Sequence, residues 1–317
     1  MNPTILIIGC GNIGRRHIEA LASAGYPMRV IGIEPDEAAR AQAESLITPF
    51  LSGSQIVAHM DDLPQTVDLA VIATSAAHRR SVFDALLSRC TPKTVIFEKI
   101  LFTTRADLDA VGKILTDRAI PAVVNCGRRG FPDYDRLRDT LTGRSGLSME
   151  VKGAGWNLGS NAIHFMDLAE HVLADRVITL DESGLDPKAE PARIRGCVDL
   201  FGTLHGTLAG GGTITISQDR APGDPLSITF SGNGESWRIE EGAKRLIHRN
   251  RAGEEQVEAF EPRFVSGMPY LYTEILDGKK SRLTPYEQSA AQHGLFLDAF
   301  RRRLGLSTVE DAPCPIS

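Results

Sequence analysis

Gly9, Cys10, Gly11, Asn12, Ile13 and Gly14 spell G-x-G-x-x-G, a spacing suited to holding a pyrophosphate. The first glycine permits a tight turn, the second lets the backbone approach the phosphates, and the third lets a helix pack closely on a strand. The N–H groups opening that helix, at Asn12 and Ile13, then face the anion. About twenty residues on, Glu34 ends a strand, where a carboxylate accepts hydrogen bonds from the adenosine ribose hydroxyls. It favours NAD over NADP, since a 2′-phosphate would meet a like charge there, although Arg15 or Arg16 nearby offers partial accommodation. A glycine turn without a ligand and a solvated strand-end glutamate are the plainer readings of the same residues.

Other chemistry falls on the same edge. Thr74, Ser75 and His78 follow a further strand, where Thr74 or Ser75 either bonds the cofactor or caps the next helix. Glu98 and Lys99 end the strand after that, and the Lys99 ammonium is expected to point into the cleft where open α/β sheets bind ligands. Arg128 and Arg129 follow the last strand; they either bind an acidic group of a substrate or pair with acids at a domain junction.

These residues need a frame. The apolar run 4–8, bounded by glycine, reads as a buried parallel strand. A helix over 12–24 follows, with Gly25 as its stop. Strands over 28–34, 68–74, 94–98 and 122–126 then alternate with helices over 36–45, 76–89 and 105–118, which implies βαβ units and a doubly wound parallel sheet. Beyond residue 130 the texture changes. One helix over 132–141 precedes stretches 148–152, 194–208, 213–218 and 226–231, which alternate apolar and polar residues as antiparallel strands with one wet face do. Residues 286–304 form an amphipathic helix that is expected to pack back onto a domain. The expected class is therefore α/β, with a Rossmann domain over 1–124 and an α+β domain over 125–317.

The whole chain narrows the function. Its 317 residues are too many for one typical domain, and 42% hydrophobic with 24% charged residues excludes a disordered or fibrous protein. A net charge of −5, with acids and bases interspersed, argues against a nucleic-acid partner. Cys10, Cys90, Cys126, Cys197 and Cys314 form an odd, scattered set with no C-x-x-C, so neither a disulfide framework nor a zinc site is expected. No apolar stretch reaches membrane-spanning length and the N-terminus carries no secretory pattern, so a cytoplasmic protein without a membrane partner is expected.

At this point the chain resembles the Gfo/Idh/MocA family of NAD(P)-dependent sugar and cyclitol oxidoreductases. The match is carried by G-C-G-N-I-G-R-R-H at Gly9 to His17 and by Phe97-Glu98-Lys99, which is similar to the start of the family's Glu-Lys-Pro motif. Gly159 to Leu168, G-S-N-A-I-H-F-M-D-L, and Leu283 to Ser289, L-T-P-Y-E-Q-S, carry the rest. The resemblance implies a second domain with a large open, mainly antiparallel sheet, a homo-oligomer (dimer or tetramer), and a small sugar-like substrate. It also implies that Lys99 contacts the substrate oxygen beside the nicotinamide and that His164 is the acid/base. Hydride leaves carbon as the attached hydroxyl loses its proton, and a nearby cation stabilises the alkoxide that develops.

Two departures stand out. Ile100 replaces the motif's proline, and Ser160 stands four residues before His164, where many members carry an assisting aspartate. Asn161, one turn before His164, offers a polar contact instead, and Tyr270 is a further candidate for orienting the substrate. Trp156, Asn161 and His164 together resemble a subgroup tied to bacterial surface-sugar synthesis. Asp167, Glu170 and His171 share the helix with His164 but do not by spacing alone make a metal site. Hydride transfer between NAD and a sugar-like alcohol leads. A non-catalytic dinucleotide-binding regulator, and an enzyme that recycles its cofactor through transient oxidation, are the alternatives.

Overall fold

Ile5 to Ile8, Val30 to Ile33, Leu69 to Ile72 and Val95 to Phe97 are runs too apolar on both faces for anything but a strand covered on both sides. In the computed structural model, which describes residues 2–61, 63–307 and 311–316, they form the centre of a seven-stranded sheet. The elements of the first half are β1 (Thr4–Ile8), α1 (Asn12–Ala22), β2 (Arg29–Ile33), α2 (Glu37–Glu44), β3 (Gln55–Val57), β4 (Thr66–Val67), β5 (Leu69–Ile72), α3 (Ala76–Leu87), β6 (Thr91–Pro92), β7 (Val95–Glu98), α4 (Arg105–Asp117) and β8 (Ala122–Asn125). There follow α5 (Pro132–Leu141), β9 (Ser148–Lys152), α6 (Leu158–Leu173), β10 (Val177–Asp181), β11 (Glu190–Pro191), β12 (Val198–Asp199), β13 (Gly202–Leu208), β14 (Thr213–Gln218), β15 (Ser227–Gly232), β16 (Glu235–Glu240), β17 (Arg245–Arg249), β18 (Glu255–Ala259), α7 (Tyr270–Leu276), β19 (Thr284–Pro285) and α8 (Tyr286–Leu304).

The chain divides into two compact units. The first comprises the chain up to Phe102 together with Ala106–Gly130 and Arg263–Ala290. Its sheet runs β19-β8-β7-β5-β1-β2-β3, parallel throughout except for β19, which pairs antiparallel with β8. Strand order reverses between β1 and β5, and that reversal opens the crevice beyond their C-terminal ends where such sheets take ligands. The expected doubly wound sheet is therefore present.

The second unit comprises Thr103–Arg105, Phe131–Pro262 and the chain from Ala291 on. Its eight-stranded sheet runs β10-β13-β14-β9-β15-β16-β17-β18, antiparallel save for the β14–β9 pair. Alternation decides its faces. Met149, Val151, Leu204, Ile214, Ile216, Ile228, Phe230 and Ile239 are buried, whereas Glu150, Lys152, His205, Thr207 and Thr213 are exposed. The long helix α6 lies against β9, β10 and β14 and packs on α5.

Several boundaries move. The first helix ends at Ala22, and Asp36 is not part of the second helix but its N-cap, accepting from the Ala39 amide. The stretch 194–208 is not one strand. Only Val198–Asp199 and Gly202–Leu208 are strand, and the second begins at Gly202, whose φ is +95° and where an added Cβ would lie 2.4 Å from the Gly184 carbonyl oxygen. Strands β16 to β18 lie outside the stretches expected from the sequence, and β18 is exposed along its whole length. Among the described residues no helix is long and apolar enough to cross a membrane, and no group of three His, Cys, Asp or Glu could hold a metal ion.

Phe230, fully buried at the middle of β15, tests the second core: Phe230→Ala should cost about 3–5 kcal/mol in urea unfolding.

Candidate functional site

The glycine loop of the first unit is built as its three positions require. Gly9 adopts φ +86°, and its amide donates to the Ile33 carbonyl at 2.9 Å. A Cβ on Gly14 would stand 1.9 Å from the Gly9 carbonyl oxygen, so α1 reaches this closely only with glycine there. Beside Gly11, by contrast, a Cβ would meet nothing within 4 Å. That open space, with the start of α1 beneath it, is the shape a pyrophosphate needs. Asn12 and Ile13 are exposed on the first turn, Asn12 accepting from Arg15 at 2.7 Å.

Two residues converge on this loop. Glu34, at the end of β2, accepts from the Cys10 amide at 2.9 Å and from the Asp36 amide at 3.0 Å. Its carboxylate is thus fixed beside the glycine loop. Thr74, after β5, lies against Gly9, where an added Cβ would touch its methyl at 3.1 Å. Its hydroxyl oxygen is buried and has no hydrogen-bond partner, a cost that a bound ligand would remove. Ser75 occupies the N-cap position of α3, yet its hydroxyl bonds the His78 ring at 2.9 Å instead of capping the helix. The loop and Thr74 therefore fit a dinucleotide, and Ser75 and His78 form a separate exposed pair.

Glu98 and Lys99 leave β7 at the same sheet edge, and the Lys99–Ile100 peptide is cis. The Glu98 carboxylate is buried. Its Oε1 accepts from His17 Nε2 at 2.9 Å and from Asn125 Nδ2 at 2.5 Å, while His17 Nδ1 stands 2.5 Å from the Tyr272 hydroxyl. Burial alone would raise the Glu98 pKa, but His17, Asn125 and the Arg79 charge together bring it below the ordinary carboxylate range. Burial lowers the Lys99 pKa, and Glu98 opposes that shift more than any other group. Arg79, itself buried, donates to the carbonyls of Thr74, Ile100 and Leu101, so one guanidinium ties the turn after β5 to the segment after β7. Burial brings its pKa down to about 10.

Past β8, Arg129 donates to the Thr284 hydroxyl at 2.8 Å, and the Tyr270 hydroxyl donates to the Gly130 carbonyl at 2.9 Å. Both side chains thus hold the turn that also carries Arg128.

In the second unit, α6 is buried almost throughout. Between Leu158 and Val172, Ser160, Asn161 and His164 alone keep partial exposure. Spaced i, i+1 and i+4, they form one partly exposed polar face on a helix otherwise buried from Leu158 to Val172. The first turn of α6 is held from elsewhere: Asp199 Oδ1 accepts from the Gly159 amide at 2.7 Å and Gln218 Oε1 from the Leu158 amide at 3.1 Å. Gln218 also donates to Asp199 at 2.9 Å. Asn161 donates to the Trp156 carbonyl at 2.7 Å, and the Trp156 indole N–H donates to the Ser217 carbonyl at 3.1 Å. Trp156 is buried edge-on against Phe165, a supporting side chain for this face. Farther along, His171 bonds Asp135 at 2.9 Å and Glu170 accepts from the Val177 amide at 3.0 Å.

Asp199, Gln218, Asn125, Arg79 and Tyr272 are not apparent from spacing. The bonds by which they hold Gly159, Leu158, Glu98, Ile100, Leu101 and His17 each span at least 21 residues of chain, and no local motif marks them. Removing the shared acceptor, Asp199→Ala, should strand the Gly159 and Leu200 amides and cost about 2–4 kcal/mol by urea unfolding, with Asp199→Asn costing less.

Comparison with known proteins agrees with the loop. Residues 4–125 match the Gfo/Idh/MocA family, described as an oxidoreductase family with an NAD-binding Rossmann fold. Over 144 residues the chain is 30% identical to glucose-fructose oxidoreductase domain-containing protein 2 of Xenopus laevis, a stretch covering 44% of this chain and only 35% of that protein. An oxidoreductase of Agrobacterium radiobacter, solved with NAD+, L-tartaric acid and magnesium, superposes with a TM-score of 0.76 at 15% identity, covering 96% of this chain and 97% of that one. UDP-N-acetylglucosamine 3-dehydrogenase GnnA of Acidithiobacillus ferrooxidans superposes with a TM-score of 0.72 at 16% identity, covering 96% and 98%. At such identities the structural likeness concerns the fold.

Proposed function

We propose that this chain, whose residues 4–125 belong to the Gfo/Idh/MocA NAD-binding oxidoreductase family, is a cytoplasmic, homo-oligomeric NAD-dependent dehydrogenase of sugars, sugar derivatives or cyclitols. One observation carries the reading: a single sheet edge gathers the glycine cradle, the Glu34 carboxylate, the unpartnered Thr74 hydroxyl and Lys99. Gly9, Gly11, Gly14 and the start of α1 hold the pyrophosphate, Glu34 takes the adenosine ribose hydroxyls, and Thr74 gives its hydroxyl to the cofactor. When bound, NAD supplies the carbon that receives a hydride.

The chain supplies the proton chemistry. Lys99 meets the substrate oxygen as an ammonium and stabilises negative charge as it develops there. His164 takes the hydroxyl proton, and Ser160 and Asn161, on the same face of α6, orient the sugar by hydrogen bonds. Serine at 160 places a hydroxyl, not a carboxylate, one turn before His164. Arg128 is suited to an acidic substituent of the substrate. The similarity in fold to a UDP-N-acetylglucosamine dehydrogenase favours a sugar bearing such a group.

Calorimetric titration of cofactor-stripped protein tests the cradle. NADH should bind more tightly than NADPH, and binding of neither would overturn the assignment. Thr74→Val gives a two-sided check. Removing a buried hydroxyl without a partner should leave the free protein equally or more stable, while NADH binding weakens by roughly 3- to 10-fold.

Turnover is read as NADH formation over a panel of sugars and sugar nucleotides. Lys99→Ala and His164→Ala should each lower kcat/KM by about 10²- to 10⁴-fold with NADH binding retained. Because burial lowers the Lys99 pKa, activity should fall on the alkaline side at a pH below the ordinary lysine range. Cofactor binding without turnover across the panel would turn the assignment to a regulatory protein; product without net NADH would turn it to transient oxidation.

A further inference from the structure

Behind Lys99 lies a buried hydrogen-bond chain that the proposed chemistry does not use. His17 is fully buried on α1, one turn past Gly14, and both of its ring nitrogens are engaged. The Tyr272 pKa is raised well above its ordinary value, chiefly by burial and further by Glu98, so its phenol keeps the proton. The assignment that satisfies every atom runs from the Tyr272 hydroxyl to His17 Nδ1, and from His17 Nε2–H to Glu98 Oε1. Asn125, on β8, donates to that same oxygen. The carboxylate is thus fixed from α1, α7 and β8, and it belongs to the residue immediately before Lys99.

The charges reaching Lys99 are mixed. Arg79 from α3 and Arg128 after β8 both disfavour its proton, as burial does; Glu98 and Cys126 favour it, Glu98 more strongly. A carboxylate that turned away or took up a proton would withdraw the stronger of the two groups that favour the ammonium.

We propose that His17 is a positioning residue for Lys99: by holding the Glu98 carboxylate, it fixes the counter-charge of the lysine and ties that lysine's charge state to the helix that opens at the glycine loop. The inference rests on Lys99 being the group that meets the substrate oxygen. A merely structural cluster would contribute to stability alone and leave the titration of Lys99 untouched.

Trace labelling with acetic anhydride from neutral to alkaline pH, followed by digestion and mass spectrometry, reads the pH at which Lys99 becomes half-reactive. The exposed Lys113 serves as internal standard. Glu98→Gln should move that pH downward by at least about one unit. His17→Leu should move it in the same direction, and His17→Gln, whose amide can still donate to Glu98, should restore most of the wild-type value. A Lys99 curve in folded Glu98→Gln or His17→Leu protein that superposes on wild type would overturn the proposal. Should His17→Leu not fold, Tyr272→Phe, which removes one hydroxyl and keeps the ring, decides in its place: a downward shift supports the chain and an unchanged curve refutes it. Labelling needs neither cofactor nor substrate, so a failure of the sugar panel would count against the proposed reaction and leave this result standing.

Discussion

A carboxylate withdrawn from water must find its hydrogen bonds and its opposite charge inside the protein, and the first unit is arranged around that demand at Glu98. Its partners come from three different elements, and a fourth stands behind them. His17 reaches it from α1, Asn125 from β8 and the field of Arg79 from α3, while Tyr272 on α7 backs the histidine. Arg79 in turn spends its own donors on the carbonyls of Thr74, Ile100 and Leu101. Two buried charges therefore fix the ends of β5 and β7, the stretches that present Thr74 and Lys99. The apolar strands supply the bulk of the core; this small polar set decides where the edge residues stand.

The second unit solves a related problem with neutral and acidic partners. A helix as apolar as α6 is held by burial, but its first-turn amides are hidden from solvent and need acceptors. Asp199 and Gln218 provide them and bond each other, so the turn that begins the polar face of Ser160, Asn161 and His164 is set by side chains from β12 and β14.

What the sequence discloses follows from the range of the forces involved. The glycine loop is legible because its requirements are local: a positive φ at Gly9 and a steric limit at Gly14 are written in six consecutive residues. The parallel strands are legible because burial on both faces leaves continuous apolar runs. The alternating strands β9, β14 and β15 show themselves by period, whereas β18, exposed on both faces, has no buried face to mark. The carboxylate network and the Asp199–Gln218 pair stay hidden because their members are brought together only by the tertiary fold. His17 is a partial exception: it stands in the motif at the head of α1, but spacing gives no hint that its ring faces Glu98 and Tyr272. Thr74 is another kind of case. Its position marks it equally as a cap or a ligand contact, and only its lack of any partner separates the two.

The distance along the chain between α6 and its caps also bears on how the protein is made. Leu158 and Gly159 leave the ribosome well before Asp199 and Gln218 do, and until those two arrive the opening turn of α6 has neither acceptor. Near the other end of the helix, His171 bonds Asp135 of α5, which precedes it in the chain. During synthesis, the polar face is thus completed from the far side of its own domain.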